Sequence, residues 1–238
     1  MTDAPRNTPA VLLRTGLYYL AWAVTTIPFL ALLPLALLPV RWVWPVLRVY
    51  FAIQIQLLRW ICGIDYRISG REHLPDGPVI LASRHDALWE TVALPYEFDN
   101  PVVFLKEEIL RWPVVGLVVR RLGHVAVRRQ WSPDAMRADI AAVRDEVAAG
   151  RSVLIFPSGT RNPARRFEVQ TGVAVLYRSL GIPCVPVVLD SVRVWPHRSW
   201  RRLPGTVNVR LLPAIEPGLS SREFVAQLSH AMRDPPEG

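Results

Sequence analysis

The stretch RHDALWE, residues 84–90, puts His85 beside Asp86 and sets a second carboxylate, Glu90, five positions on. An imidazole with one nitrogen held by a carboxylate has its tautomer fixed, and its other nitrogen is free to take a proton from a hydroxyl. Spacing decides between the two acids. Inside a helix, residues five apart point about 140° away from each other, so Glu90 cannot face a fully helical His85. If a helix begins at or just after His85, with the histidine in the turn before it, the ring can fold back over the first turn and meet Glu90. Asp86 points elsewhere in most backbone conformations and is expected to cap the helix start. Alone, the spacing also fits an ordinary structural histidine.

A second block, FPSGTRNP (156–163), follows an apolar run. A Pro and then Ser158, Gly159, Thr160 and Arg161 make a tight turn with backbone N–H groups, hydroxyls and a guanidinium. Those are the parts of an anion cradle. The plain alternative is a common turn with a solvated arginine.

The elements around these blocks alternate. YRISG, PVILAS, PVVFLKEE, HVAVRR, SVLIFP, IPCVPVVLDS and GTVNVRLLPAI read as strands, with turn residues at LPDGP. EILRWPVVGLVVRRLG, TGVAVLYRSLG and SREFVAQLSHAMRD read as helices. SPDAMRADIAAVRDEVAAG is the clearest helix, with Ser132 as N-cap, Pro133 at its first position and Gly150 as terminator. Its stripe through Met136, Ile140, Val143 and Val147 faces a core. Strands alternating with helices predict an α/β fold: a mixed, largely parallel sheet flanked by helices. His85 and Ser158 both follow directly from strands, where such folds place reactive groups.

The N-terminal part has a different character. Thr15–Val40 carries no charged residue, and its 26 positions would reach about 39 Å as a helix, enough to cross a bilayer. Pro28, Pro34 and Pro39 interrupt it, which favours a kinked or re-entrant hairpin over one straight span. In Trp42–Cys62, Arg48 and Arg59 project about 20° apart with Gln56 nearby, the pattern of an interfacial helix. The expected organisation is a membrane anchor over residues 1–62, with no signal peptide, and the α/β domain over 63–238. Half of all residues are apolar and the mean hydropathy is +0.21.

The net charge is +8, and Arg supplies every basic residue but Lys106. That excess suits an anionic surface. The pairs Arg120/Arg121, Arg128/Arg129, Arg165/Arg166 and Arg201/Arg202 lie among apolar segments without a nucleic-acid-binding signature, so lipid headgroups are the expected partner and nucleic acid is not. Cys62 and Cys184 lack metal spacing and are expected to be reduced and buried.

In this order and at these separations, the blocks resemble those of the 1-acyl-glycerol-3-phosphate acyltransferases, within the phospholipid and glycerolipid acyltransferase superfamily. HDALWE resembles its H-x4-D motif in the variant that has Glu. FLKEEILRWPVVG resembles its second block through Lys106, Pro113 and Gly116. FPSGTR resembles FPEGTR, and IPCVPVV resembles the late VPV block through Pro186. The resemblance covers roughly residues 60–220. It implies that His85 and Glu90 deprotonate a lysophospholipid hydroxyl, which attacks the thioester of acyl-CoA or acyl-carrier protein. Arg161, with Thr160, Gly159, Ser158 and Lys106, would hold the acceptor's phosphate. It further implies no metal or redox cofactor, and a place at the cytoplasmic face of a bacterial inner membrane.

Three positions depart from the pattern. Ser158 stands where the family has Glu, Ala87 where Ser is common, and Gln170 where a basic residue often precedes the next Gly. The first leaves the acceptor open between 1-acylglycerol-3-phosphate and another lyso-lipid such as a lyso-ornithine lipid. It also admits a non-catalytic lipid-binding relative.

Overall fold

The short apolar runs are strands: β1 (Ile64–Ser69), β2 (Ile80–Ser83), β3 (Val102–Lys106), β4 (Val125–Val127), β5 (Val153–Ile155), β6 (Cys184–Leu189) and β7 (Gly205–Leu211). The computed structural model describes residues 8–31, 39–127 and 133–233. One seven-stranded sheet runs in the order β1-β7-β6-β2-β5-β3-β4. Every neighbouring pair is parallel except β6 with β7. The sheet is therefore mixed and mostly parallel, as its alternation of elements predicts.

Both faces are buried, and strict alternation divides the side chains between them. Leu81, Leu154, Val185, Val187 and Leu189 enter one apolar cluster. Ile80, Ala82, Val153, Ile155, Cys184 and Val188 enter the other. The first cluster lies under α1 (Pro9–Ala31), α2 (Val40–Leu57) and α3 (Glu90–Glu97), through Tyr18, Ile55, Ala93 and Leu94. Helix α4 (Pro113–Arg121) follows a 3-10 turn at Glu107–Arg111. The second cluster lies under α5 (Pro133–Ala148), α6 (Thr171–Leu180) and α7 (Ser221–Arg233), through Val143, Tyr177 and Phe224. In α5, Ile140 and Val143 are buried as the stripe predicts, while Ser132 and the side chain of Met136 lie outside the described residues. A capping box starts α7: Glu223 accepts from the Ser220 N–H at 3.0 Å, and the Glu223 N–H donates to Ser220 Oγ at 3.3 Å. Both cysteines are free and buried, and burial pushes the Cys62 thiol up to about 11.

The proline-interrupted N-terminus forms two helices, with Pro28 inside α1 and Pro39 just before α2; Pro34 lies outside the described residues. They run antiparallel. Gln54 Nε2 donates to Thr25 Oγ1 at 3.1 Å, Thr26 Oγ1 and Tyr50 OH lie 3.1 Å apart, and Phe29 meets Tyr50 edge-on at 4.8 Å. Helix α1 has two characters. Val11, Thr15 and Tyr18 are buried, whereas Leu13, Leu17, Leu20, Val24 and Ile27 are exposed along the other side. At 23 residues it extends about 34 Å and is long and apolar enough to cross a membrane.

Arg202 ties α1 to the body. Its guanidinium is buried, lies 3.5 Å from the Trp195 ring centroid and donates to Tyr19 OH, while its backbone N–H donates to Thr15 Oγ1 at 3.0 Å. The arginines of the polar stripe, Arg48 in α2 and Arg59 just after it, also have partners in the body while remaining exposed. Arg48 lies over the Tyr96 ring of α3, and Arg59 pairs with Asp65 of β1 at 3.4 Å.

His124 gives the fold a pH dependence. Its Nδ1 accepts the Val103 N–H at 3.2 Å, and burial, helped by the Arg151 guanidinium, pulls the imidazole down to about 3. Unfolded, it titrates near about 6.5. The folded pKa is depressed, so the stability is full above the unfolded value and is lost as pH falls toward the folded one. Between 2 and 3 kcal/mol, roughly, is gone by about pH 4.5. Urea denaturation at neutral and acid pH measures this, and His124→Asn, which keeps an acceptor without a titrating proton, is expected to flatten that part of the curve.

Candidate active site

Four of the strands deliver polar groups from their C-terminal ends to one edge of the sheet. His85 follows β2, the 156–161 turn follows β5, Lys106 ends β3, and Asp190 and Ser191 follow β6. These strands are neighbours in the order β6-β2-β5-β3, so residues up to about a hundred positions apart converge. This is where open parallel sheets place their ligands.

The structure brings His85 and Glu90 together, by a route different from the one the sequence suggests. Helix α3 begins at Glu90 itself, and residues 84–89 form a turn. In that turn the chain folds back, leaving His85 Nδ1 3.7 Å from Glu90 Oε1. Glu90 is fully buried, and the His85 side chain is 16% exposed. Glu90 Oε1 accepts the backbone N–H groups of Asp86 at 2.5 Å and Ala87 at 2.7 Å. Its Oε2 accepts the hydroxyl of Ser191 at 3.1 Å. Among the described residues, His85 Nδ1 itself has no hydrogen-bond partner. At 3.7 Å the pair lies outside hydrogen-bond range and needs about 1 Å of closure to form a catalytic contact.

Asp86 does not cap α3. The cap position is Trp89, with no side-chain hydrogen bond, and it is the Glu90 carboxylate that gathers the free amides of the turn. Burial raises the Asp86 carboxyl above its ordinary value, the Glu90 charge adds to that, and Arg166 and Arg84 oppose it. At Ala87 only the backbone N–H is used, so the absence of a hydroxyl there leaves the Glu90 contact intact.

The two sequence blocks meet through a ring. Phe156, which opens FPSGTR, stacks on the His85 imidazole with centroids 4.1 Å apart and planes at 25°. The turn then closes with the Gly159 N–H donating to Phe156 O at 2.9 Å. Gly159 has φ +60°, and a Cβ there would meet nothing closer than 3.9 Å; glycine is needed for the conformation and not for room. Ser158 is buried and donates to Thr160 O at 2.8 Å. Its hydroxyl is thus used inside the turn. Gln170, the third departure, caps nothing with its side chain; its N–H donates to Pro157 O at 3.0 Å.

Arg161 and Lys106 share this edge, and among the described residues neither has an ion-pair partner. The Pro-x-x-Gly segment shapes Lys106's surroundings. A Cβ on Gly116 would lie 2.2 Å from Leu110 O, so only glycine lets α4 pack against the 3-10 turn that follows Lys106. Sequence reasoning missed Ser191 and the stacking role of Phe156. Ser191's sole signal was its position just after an apolar run, as with His85 and Ser158.

A mostly parallel sheet with a histidine facing a buried carboxylate, beside a turn that carries Arg161, defines the class, and comparison with known proteins gives the family. The Acyltransferase family model matches residues 65–190. The chain is 30% identical to the 1-acyl-sn-glycerol-3-phosphate acyltransferase of Pseudomonas aeruginosa, over 91% of this chain and 86% of that protein. It is 27% identical to the lyso-ornithine lipid O-acyltransferase of the same organism, over 75% of this chain and 77% of that one. Its fold is that of the 1-acyl-sn-glycerophosphate acyltransferase PlsC from Thermotoga maritima, with a TM-score of 0.70, 20% identity, and coverage of 96% and 98%. The chain belongs to the acyltransferase family and is an acyltransferase.

Proposed function

We propose that the chain transfers an acyl group from acyl-CoA or acyl-carrier protein to the free hydroxyl of 1-acylglycerol-3-phosphate, forming phosphatidic acid. The observation that carries this is His85 against the buried Glu90, on the same sheet edge as Arg161 and Lys106, neither of which has an ion-pair partner among the described residues. Nδ1 of His85 faces Glu90, which leaves Nε2 for the acceptor. As the hydroxyl's proton passes to Nε2, its oxygen attacks the thioester carbonyl carbon. The tetrahedral intermediate collapses, the C–S bond breaks, and the thiolate leaves with the proton that His85 returns. The Glu90 charge stabilises the imidazolium between those steps. Arg161, supported by Lys106 and the Ser158–Thr160 turn, holds the acceptor's phosphate through charge-assisted hydrogen bonds. No step calls for a metal or redox cofactor.

Residues 1–62 serve in this reading as the membrane anchor, with residues 63–238 as the catalytic domain. The exposed apolar side of α1 supports that, as do Leu88 in the His85 turn and Trp112 after β3, exposed apolar side chains on the segments that leave the active edge. The expected location is the cytoplasmic face of a bacterial inner membrane.

Ser158 favours one second reading. A neutral, internally bonded side chain stands at the family's Glu position, and a lyso-ornithine lipid acyltransferase is among the relatives. Purified protein in vesicles, given labelled acyl-CoA and the two lyso-lipids in competition, tests the choice. The phosphate-bearing acceptor is expected to be consumed first; preference for lyso-ornithine lipid would move the assignment there.

A further inference from the structure

The charge that works with His85 is held in place from across the sheet. Glu90 is a fully buried carboxylate, and such a group is tolerated only when its oxygens are hydrogen-bonded. Its Oε1 has two donors from its own turn, the Asp86 and Ala87 N–H groups. Among the described residues its Oε2 has one donor, the hydroxyl of Ser191, 101 positions away in sequence. Ser191 is itself fully buried.

The segment carrying Ser191 is locked. Asp190 Oδ1 accepts the Asn208 N–H at 2.8 Å, and its Oδ2 accepts Asn208 Nδ2 at 3.1 Å and Arg193 Nη1 at 3.0 Å. The Ser191 carbonyl takes the N–H groups of Val194 and Trp195. The hydroxyl therefore projects from a turn clamped to β7, just past the end of β6, which is β2's neighbour in the sheet.

We infer that Ser191 is a positioning residue for the reaction: it acts through Glu90 and touches neither substrate. Two amides on Oε1 alone leave the carboxylate free to turn about its own axis. The third bond, on Oε2, stops that rotation and keeps Oε1 on the His85 side. Positioning of this kind is worth about a hundredfold in rate per ångström of misplacement.

The inference rests on the acyl-transfer reading, and its test separates the two. Turnover of the full-length protein in vesicles is measured for wild type, His85→Ala, Ser191→Ala and Glu90→Gln, and for the Ser191→Ala/Glu90→Gln double variant. Ser191→Ala is expected to lower kcat about 10- to 100-fold with both KM values within about 3-fold. In the Glu90→Gln background the same change is expected to cost no more than about 2-fold, because the group it acts through is already lost. A merely structural serine would lower the rate equally in both backgrounds, and that result overturns the inference, as does wild-type kcat in Ser191→Ala. Ser191→Cys fills the same space with a weak donor, so it covers the case in which the Ala variant does not fold; it is expected to lose several-fold in kcat, and full activity in it would also overturn the proposal. Absence of His85-dependent turnover in wild type is a different outcome, which removes the acyl-transfer reading and this inference with it.

Discussion

His85→Ala is expected to lower kcat about a thousandfold or more without unfolding the protein. A positioned general base contributes about 10²- to 10⁴-fold, and among the described residues no other basic side chain pairs with Glu90 to replace it. The acceptor's hydroxyl is a poor nucleophile while it keeps its proton, so the loss falls on kcat. The KM for the acceptor should change little, because the phosphate site proposed above lies at Arg161 and not at His85. Glu90→Gln tests the other half of the pair. An amide in that place cannot carry the charge that stabilises the imidazolium, and its nitrogen turned toward Asp86 and Ala87 would set donor against donor. Its kcat is expected to fall about a hundredfold. If Glu90→Gln keeps full turnover while His85→Ala is dead, the pair is not the working unit.

Arg161→Ala is expected to do the opposite: to raise the acceptor KM about 10- to 100-fold with the KM for the acyl donor unchanged. A hydrogen bond to a charged group is worth about 1.5–3 kcal/mol, and about 1.4 kcal/mol is tenfold in binding. Arg161 has no carboxylate partner among the described residues, so its removal leaves no buried counter-charge and the fold should be unaffected. Arg161→Lys keeps the charge without the planar fork and should recover only part of the affinity. Initial-rate kinetics with each substrate varied separately reads both. A change confined to the donor KM would put the acceptor's phosphate elsewhere.

Periodicity was enough for the sheet. Runs such as PVILAS and IPCVPVVLDS are too short and too apolar for anything but strands buried on both faces, and they form β2 and β6. The two site blocks were legible for the same reason, since each follows such a run directly. What sequence could not supply was the shape of the turn between His85 and Glu90. A cap expectation put the helix start at or just after His85, whereas the Glu90 carboxylate captures the amides of Asp86 and Ala87 and delays the helix to residue 90. Local patterning also carries no trace of a bond between residues 90 and 191. Such a contact exists only once β6 lies beside β2. The partners of Arg48 and Arg59, Tyr96 and Asp65, were out of reach in the same way, because no property of residues 42–62 announces them.

The most direct measurement is the fate of the label when purified protein in phospholipid vesicles is given labelled acyl-CoA and 1-acylglycerol-3-phosphate, wild type beside His85→Ala. The account predicts labelled phosphatidic acid from wild type, formed only when the acceptor is present, and almost none from the variant. Equal product from both, or no labelled lipid from wild type with any lyso-lipid acceptor and either acyl donor, would contradict it.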